Sequence, residues 1–235
     1  MSDFQRIAQE INTRRITRLC HFTRISKLLH ILSTEEGIMA TADLNEECSD
    51  LLTQNDKMRL DGYSDHVNCS IQYPNTYYLD SVRNSDPIFK NWVIIFIDPR
   101  IMCNSSTKFC YRNAAANCGE YVESGFKGLE SMFQNTVYSK YSFTRTPQML
   151  PCCPTDVQAE VLIYKNIPRT AILSIAAPTE EEAMNGAAML KHIAEAPTVE
   201  WIVAPDLFNN NWIRLVKRGY SPDETSLSTG GGAMN

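Results

Sequence analysis

Apolar residues recur along this chain with two distinct periods. One stripe, spaced i, i+3, i+4 and i+7, predicts a helix after a short strand at 19–22 and consists of Ile25, Leu28, Leu29 and Leu32. Thr23 stands where the N-cap of that helix is expected, and Gly37 stands where the unit ends. Runs of β-branched and aromatic residues predict further strands. These strands occupy residues 67–73, 92–97, 160–164, 171–175 and 199–203.

The order of these elements indicates the fold class. Residues 1–17 predict a polar, partly helical lead-in, and residues 77–85 predict a second helical segment. Thr179 followed by Glu182 is a capping-box signature, which predicts a further helix that runs to about residue 194. Because strands and helices do not alternate regularly, an α+β fold is favoured over a doubly wound parallel sheet.

Two internal segments lack a regular period. Residues 41–66 are polar and acidic, and residues 99–157 are rich in Asn, Ser, Gly, Cys and Tyr. A long irregular span inside a compact domain is often functional.

We expect one domain over residues 1–225, with a turn at residues 166–168. The Ser- and Gly-rich residues 226–235 are expected to form a flexible tail.

Composition and charge narrow the class of protein. The 235 residues are 43% hydrophobic, and no apolar run comes near the roughly 20 residues that a membrane span needs. The start of the chain has no secretory pattern, so we expect a cytoplasmic protein without a membrane partner. A net charge of −5 argues against a broad phosphate-binding surface. Residues 1–34 and 83–112 carry a local excess of positive charge, which leaves a small nucleic-acid site open.

The cysteines and the common nucleotide motifs exclude several kinds of site. None of the eight cysteines forms a C-x-x-C pair, so we expect reduced, mostly buried thiols and no metal site. A mixed Cys/His site is the alternative, and no spacing in the chain supports it. The chain contains no G-x-G-x-x-G, no P-loop, no H-E-x-x-H and no G-x-S-x-G. Rossmann-type cofactor binding and the nucleophile elbow of common hydrolases are therefore not indicated.

Candidate chemistry begins in the first predicted strand, with the sequence Cys20-His21-Phe22-Thr23. Residues two apart on a strand point to the same face, so His21 and Thr23 can both hydrogen-bond one ligand. Taken alone, an N-cap threonine and a hydrogen-bonded core histidine are the simpler interpretation of these two residues.

Two later stretches can also be interpreted either as ligand-binding sites or as ordinary structural features. Arg59 lies close to Asp61-Gly62 in a charged loop, where a cation near a glycine suits a phosphate or a pyrophosphate. Glu160 begins an apolar strand directly after the long irregular span, and Gln158 is expected to share its face. A carboxylate at that position is well placed to face a cleft. A solvated charged loop and a strand-edge glutamate in water are the alternatives.

In this order, the three stretches resemble the DarT family of NAD-dependent nucleic-acid ADP-ribosyltransferase toxins. Residues 21–28, with Gly37, are similar to the NAD-binding start of that family, and residues 158–165 are similar to its catalytic-glutamate strand. Arg59 stands where the family carries its essential arginine. Where thymine-modifying members run into Pro-Arg-Ser-Pro-Met, this chain has a different sequence at residues 68–75.

The resemblance implies a fold, a co-substrate and a set of site residues. The fold would be a single ADP-ribosyltransferase-like domain of small packed mixed sheets with flanking helices. NAD would be the co-substrate, bound by His21, Phe22, Thr23, Gly37 and Arg59. Glu160 and Arg59 would be catalytic. A carboxylate can stabilise the positive charge that develops on the ribose, as it does in glycosidases, or can take a proton from the attacking base.

The resemblance also implies an acceptor and a partner. The acceptor would be a thymine or guanine base of single-stranded DNA, with RNA as a possible polymer, and the protein would act as a toxin with an antitoxin partner. Single strands are bound by cations and aromatic platforms, so Arg83, Arg112 and Arg145 are candidate nucleic-acid contacts and residues 113–157 a candidate lid. Two alternatives stay open, namely an ADP-ribosyltransferase acting on RNA or protein, and a non-catalytic nucleic-acid or partner-binding module.

Overall fold

The computed structural model describes residues 1–44, 61–85, 91–138, 141–191 and 198–227. The described helices are α1 (Asp3–Arg14), α2 (Leu28–Ser33), α3 (Thr76–Ser85), α4 (Gly125–Ser131), α5 (Glu180–Leu190) and α6 (Asn211–Val216). The described strands are β1 (Leu19–Arg24), β2 (Ile38–Met39), β3 (His66–Ile71), β4 (Trp92–Ile97), β5 (Lys108–Cys110), β6 (Val122–Ser124), β7 (Thr136–Tyr138), β8 (Ser142–Thr144), β9 (Glu160–Tyr164), β10 (Asn166–Ile167), β11 (Ile172–Ala177), β12 (Glu200–Val203) and β13 (Thr225–Ser226).

One large mixed sheet organises the domain. Its nine strands lie in the order β13-β12-β11-β4-β1-β3-β9-β5-β6. Neighbouring strands are antiparallel except β11 and β12, which run parallel. Two short ladders, β2 with β10 and β7 with β8, lie apart from it. The predicted α+β class is therefore confirmed, with one extended sheet accounting for most of the strands.

The hydrophobic core is centred on β4. All six of its residues, Trp92–Ile97, are buried, which is why they form a continuous apolar run rather than an alternating one. The strand is held between β1 and β11 and pairs with β1 along its whole length. β4 thus gives β1 a fixed position, and β1 carries the first candidate site residues.

The large sheet divides between β1 and β3. These two strands pair only at Leu19 with Ile71 and at Cys20 with Ser70. Beyond Cys20, β1 continues to pair with β4, while His66–Cys69 of β3 pair with β9. The sheet therefore opens at His21, and the two halves present their inner edges to a shared cleft.

Local structure differs from the predictions in three places. Thr23 is not an N-cap, because β1 continues to Arg24 in register with β4, and a 3-10 turn at Ile25–Lys27 precedes α2. The predicted turn at residues 166–168 contains β10, which pairs with β2. Helix α5 begins at the predicted cap, where Thr179 Oγ1 accepts from Glu182 N over 3.2 Å, but it ends at Leu190.

The irregular span of residues 99–157 contains short elements, among them β5, β6, α4, β7 and β8. Strand β5 lies inside the large sheet beside β9, yet its three residues are too short to give a periodic signal. At the other end of the chain, Ser226 belongs to β13 and Leu227 N donates to Trp201 O over 2.8 Å. The rest of the predicted tail lies outside the described residues. None of the described helices is both long and apolar enough to cross a membrane.

Candidate active site

A cleft occupies the gap between β1 and β3. It holds about 1090 Å³ of space not filled by protein, counted out to its open mouth. Its walls come from β1, α2, residues 37–44, β3, the start of α3 and the first residue of β9. A ligand in it would contact both halves of the sheet.

The fold brings most of the predicted site residues to this cleft. Those that line it are His21, Phe22, Thr23, Gly37 and Glu160. They come from three separate parts of the chain, and the division of the sheet is what collects them. Arg59, predicted both to bind NAD and to act in catalysis, lies outside the described residues.

His21 is fixed by a hydrogen bond across the opening of the sheet. Its Nδ1 atom lies 3.0 Å from the main-chain oxygen of Asn68. A carbonyl can only accept, so Nδ1 carries the proton and Nε2 of the neutral ring is an acceptor. Burial lowers the pKa of His21 to about 4; the hydrogen bond to Asn68 opposes this effect, and the charge of Lys27 adds to it. The imidazole is therefore neutral at physiological pH.

Thr23 and Phe22 complete the β1 edge. Thr23 is 2% exposed and lines the cleft together with His21, as their spacing on one strand predicts. The Phe22 ring lies 5.8 Å from the ring of Tyr78 and 6.1 Å from that of Trp92, measured between centroids. These ring contacts fix the edge of the strand at the position where His21 and Thr23 face the cleft.

Gly37 has a structural reason to be glycine. Its φ is +68°, and a Cβ at this position would lie 2.3 Å from the main-chain oxygen of Ile167. No side chain fits that distance, so the close approach of residue 37 to β10 requires glycine. The same residue lines the cleft, so the turn also forms part of the wall.

Glu160 is buried and held by hydrogen bonds from its neighbours. It is 6% exposed, and its Oε2 accepts from Ala114 N over 2.9 Å and from Asn68 Nδ2 over 3.3 Å. Its Oε1 lies 3.5 Å from Asn113 Nδ2. A buried carboxylate is stable only when such donors replace the water that it has lost. Residues 113–114 thus orient the carboxylate from the irregular span.

Asn68 is a site residue that the sequence analysis did not identify. Its main-chain oxygen accepts from His21, while its side-chain nitrogen donates to Glu160 and, over 3.2 Å, to Asp61 Oδ2. Asp61 is itself buried. One asparagine on β3 therefore couples the two predicted halves of the site and brings a second carboxylate beside Glu160.

Asn75 was also missed, although it has the clearest unused donor in the cleft. Its side chain is 2% exposed, and its Oδ1 accepts from Tyr78 N over 3.1 Å, so the amide is fixed in orientation. Its Nδ2 has no hydrogen-bond partner among the described residues. A buried donor left unpaired costs about 1–3 kcal/mol, which a ligand acceptor can recover. Asn75 lines the cleft, so a ligand there can supply that acceptor.

Lys27 gives the cleft a positive charge. Burial, with a smaller contribution from the charge of Arg24, lowers the pKa of Lys27 to about 8. The ammonium group is still mostly protonated near neutral pH and lines the cleft. An anionic ligand group would favour the charged form and would be attracted by it.

The three predicted nucleic-acid arginines do not line the cleft. Arg83 Nη1 donates to Phe208 O over 3.0 Å, which ties α3 to the turn at Pro205–Phe208. Arg145 donates to the main-chain oxygens of Leu150 and Cys153, at 3.0 and 2.5 Å, and so braces the loop. The Arg112 guanidinium lies 5.3 Å from the Tyr121 ring centroid. Of the three, Arg112 is nearest in sequence to the residues that hold Glu160.

The expected pairing of Gln158 with Glu160 on one face does not occur. Gln158 precedes β9 in a turn, where its main-chain nitrogen donates to Asp156 Oδ1 over 2.9 Å, and it does not line the cleft. Burial raises the pKa of Asp156, and the charges of Arg112 and Lys217 partly oppose that effect. The segment before Glu160 is therefore fixed by Asp156.

Comparison with known proteins assigns the family. The model of the ssDNA thymidine ADP-ribosyltransferase family, DarT, matches residues 20–209. The chain belongs to the DarT family. The predicted enzyme class, an NAD-dependent ADP-ribosyltransferase, is confirmed at the level of the family, and the matched residues contain the whole cleft-lining set. No curated protein sequence matches the chain.

Solved DarT structures share the fold. Thermus sp. 2.9 DarT in complex with NAD+ has a TM-score of 0.58 at 16% identity, covering 82% of this chain and 97% of that one. The same Thermus protein with ADP-ribosylated ssDNA has a TM-score of 0.57 at 15% identity, covering 83% and 97%. Thermosipho africanus DarTG with ADP-ribose has a TM-score of 0.52 at 18% identity, covering 82% of this chain and 51% of that one. The ADP-ribosyltransferase-like fold expected from the sequence is thereby confirmed.

Proposed function

We propose that this protein transfers ADP-ribose from NAD to a thymine or guanine base of single-stranded DNA. The observation that carries the proposal is the position of Glu160, a buried carboxylate in the same cleft as His21 and Thr23. Membership of the DarT family supports it, as do the Thermus relatives in complex with NAD+ and with ADP-ribosylated ssDNA.

The residues of the cleft fit NAD in their chemistry. NAD needs a long cleft, hydrogen-bond partners for its ribose and amide groups, and a cation for its pyrophosphate. The cleft offers the neutral His21 acceptor, the Thr23 hydroxyl, the unpaired Asn75 donor and the Lys27 ammonium. Arg59 remains a proposed second partner of the pyrophosphate or of the nicotinamide ribose.

The reaction breaks one glycosidic bond and forms another. NAD, when bound, supplies a ribosyl carbon attached to nicotinamide as leaving group. His21 Nε2 accepts a hydrogen bond from a ribose hydroxyl, and Thr23 donates or accepts beside it. These contacts hold the ribose so that its reacting carbon faces Glu160.

Glu160 acts on the reacting centre. Its carboxylate stabilises positive charge that develops on the ribose, in the way that glycosidase carboxylates do. It then takes the proton that the attacking base nitrogen loses. The hydrogen bonds from Ala114, Asn68 and Asn113 set its direction before substrate arrives. Burial limits the entry of water, which would otherwise hydrolyse NAD.

The acceptor is an unstacked base. A base inside a duplex must first be extruded, at a cost of a few kcal/mol, so a single strand is the easier substrate. We propose that residues 113–157 cover the base, with Arg112 contacting the strand. Arg83 and Arg145 remain proposed contacts of the DNA strand. They would use the guanidinium N–H groups that do not donate to the protein's own main chain.

We further propose that the protein is a cytoplasmic toxin of a toxin–antitoxin or phage-defence system. The family resemblance implies an antitoxin partner, and the relative named DarTG supports the idea of a paired system. Co-expression with a candidate antitoxin, scored by restored growth, tests this part of the proposal separately from the chemistry.

One experiment separates the candidate activities. The protein is incubated with NAD and short oligonucleotides of each base, as DNA and as RNA, and with a protein mixture. Nicotinamide release and mass analysis are the readouts. Transfer to a DNA base supports the proposal and names the base. Transfer to RNA or protein alone, or no nicotinamide release under any condition, would refute it.

A further inference from the structure

A cationic groove lies outside the active-site cleft and shares only Thr146 and Gln148 with the proposed lid. It is lined by Tyr77, Thr146, Gln148, Asn210, Ile213, Arg214, Lys217 and Arg218. Its cations come from the end of α6 and the residues that follow it, beyond the stretch that matches the DarT family model. The sequence analysis found positive charge only near the start and middle of the chain, so this patch was not foreseen.

The three cations of the groove, Arg214, Lys217 and Arg218, are exposed and make no side-chain hydrogen bond or ion pair among the described residues. They lie within five residues of one another and line one groove, although the chain as a whole carries a net charge of −5. Their mutual repulsion is relieved when an extended anion binds.

An aromatic side chain accompanies these charges. Tyr77, at the start of α3, is 50% exposed and lines the same groove. Cations that follow a backbone, together with an aromatic face on which a base can stack, are the combination used to bind single-stranded nucleic acid. Asn210, Thr146 and Gln148 add neutral hydrogen-bonding groups along the same groove.

The groove is continuous with the segment that leads to the catalytic glutamate. Thr146 Oγ1 donates to Lys217 O over 2.5 Å, and Met149 and Leu150 follow in a turn whose Leu150 N donates to Val216 O over 3.0 Å. The charge of Lys217 acts on Asp156, four residues before Glu160, as does that of Arg112. Tyr77 is adjacent to Tyr78, which lines the cleft. The groove is therefore hydrogen-bonded to the segment that leads to Glu160.

We infer that this groove binds the phosphodiester backbone of the single-stranded DNA substrate beside the modified base. The inference rests on the proposed function and extends it, since it assigns strand affinity to α6 and the residues after it rather than to the cleft. Phosphate contacts position the strand and carry no base preference, so the groove contributes affinity and not base selectivity.

Binding is tested without NAD, so that the result does not depend on catalysis. The triple variant Arg214→Gln, Lys217→Gln, Arg218→Gln is compared with a matched triple, Arg15→Gln, Lys165→Gln, Lys191→Gln, which removes the same charge from exposed positions outside the cleft, the proposed lid and the groove. Anisotropy of a labelled oligodeoxynucleotide of about twenty nucleotides, long enough for a single-strand site, is followed from about 50 to about 200 mM KCl.

The groove variant should bind about tenfold or more weakly, and the slope of log affinity against log salt should fall by about 2, because three contacts at about 0.7 each are lost. The matched triple should behave like the wild-type protein. Equal effects of the two triples, or wild-type binding by the groove variant, would overturn the inference. A loss seen with RNA of the same sequence but not with DNA would also overturn it.

A second experiment, which measures catalysis, tells whether the groove inference is wrong or the proposed function is wrong. If the wild type modifies DNA, the groove variant should show a raised KM for the oligonucleotide with kcat retained, and unchanged nicotinamide release in the absence of DNA. An unchanged KM with active transfer overturns the groove alone. If the wild type modifies no DNA base, the proposed function fails, and the binding comparison still decides whether the groove holds single-stranded DNA.

Discussion

His21 Nδ1 and the main-chain oxygen of Asn68 lie 3.0 Å apart, at the point where β1 and β3 stop pairing. The side chain takes the place of the next ladder hydrogen bond and spans the opening of the sheet. Asn68 also donates to Glu160, so a single residue of β3 contacts both His21 and Glu160. The cleft is therefore a structural consequence of where the ladder ends.

We expect the burial of His21 to make the folded protein less stable in acid. The pKa of His21 is lowered to about 4 in the folded protein, against about 6.5 for an exposed histidine. Above about pH 6.5, His21 is neutral in both the folded and the unfolded chain and does not affect the free energy of unfolding. As the pH falls from about 6.5 to about 4, only the unfolded chain protonates His21, so the free energy of unfolding decreases. Thermal unfolding measured over that range should show a smaller loss of Tm for His21→Gln than for the wild type. An identical acid dependence in the two proteins would contradict the assignment.

Replacement of Glu160 by glutamine should remove the activity and keep the fold. The amide oxygen of Glu160→Gln can still accept from Ala114, and the longest contact, to Asn113, is the one at risk. We expect transfer to fall by about 100-fold or more, since the charge that stabilises the transition state is lost. Nicotinamide release and the circular dichroism melt are the two measurements.

The matched control for this carboxylate is Glu181→Gln, an exposed position on α5 outside both the cleft and the proposed lid. It should leave both transfer and Tm unchanged. Near-normal transfer by Glu160→Gln with an intact melt would remove Glu160 from the catalytic residues. Glutamine is the better substitution than alanine, because alanine would leave the buried donors of Asn68 and Ala114 without their acceptor.

Asn75 offers a test of the unpaired donor. Asn75→Ser keeps an oxygen that can accept from Tyr78 N, as serine does at helix N-caps, but removes Nδ2. We expect the KM for NAD to rise about tenfold or more, the range that follows from losing one buried hydrogen bond, with the fold retained because no buried charge is introduced. Asn104→Ser is the control, since that exposed asparagine makes a similar turn contact, from Ser106 N to its Oδ1 over 3.0 Å. Equal KM values for the two variants would show that Asn75 does not contact NAD.

Lys27 should give NAD binding an alkaline limit. With a pKa of about 8, its ammonium group is charged below that pH and is lost above it. NAD affinity measured by calorimetry should therefore fall as the pH rises through about 8, because the attraction for the pyrophosphate disappears. Lys27→Met should bind more weakly and lose this pH dependence, whereas Lys127→Met, exposed on α4, should retain it. If Lys27→Met kept the wild-type loss of affinity at alkaline pH, a group other than Lys27 would be responsible for it.

Part of the site could be predicted from sequence because its signals are local. The His21 and Thr23 spacing follows from the period of one strand, and Glu160 was identified as the first residue of an apolar run. Asn68 gave no such signal, because it lies inside a predicted strand whose partners no local pattern identifies. Asn75 gave none either, since an asparagine directly after a proline is most often a turn residue. Thr23 was expected as an N-cap for the same local reason, and its pairing with β4 overrode that preference.

The groove cations also could not be recognised as a site from the sequence. Arg214, Lys217 and Arg218 follow the periodicity of an ordinary amphipathic segment, and their significance arises only from contact with residues of the span before Glu160. By itself the sequence determined the α+β class, the bounds of β4 and β9 and the chemistry available at His21 and Glu160. The tertiary structure decided where the β1–β3 ladder ends, and hence that the two residues share one cleft, because that pairing depends on contacts between β3 and β9 that no local pattern encodes.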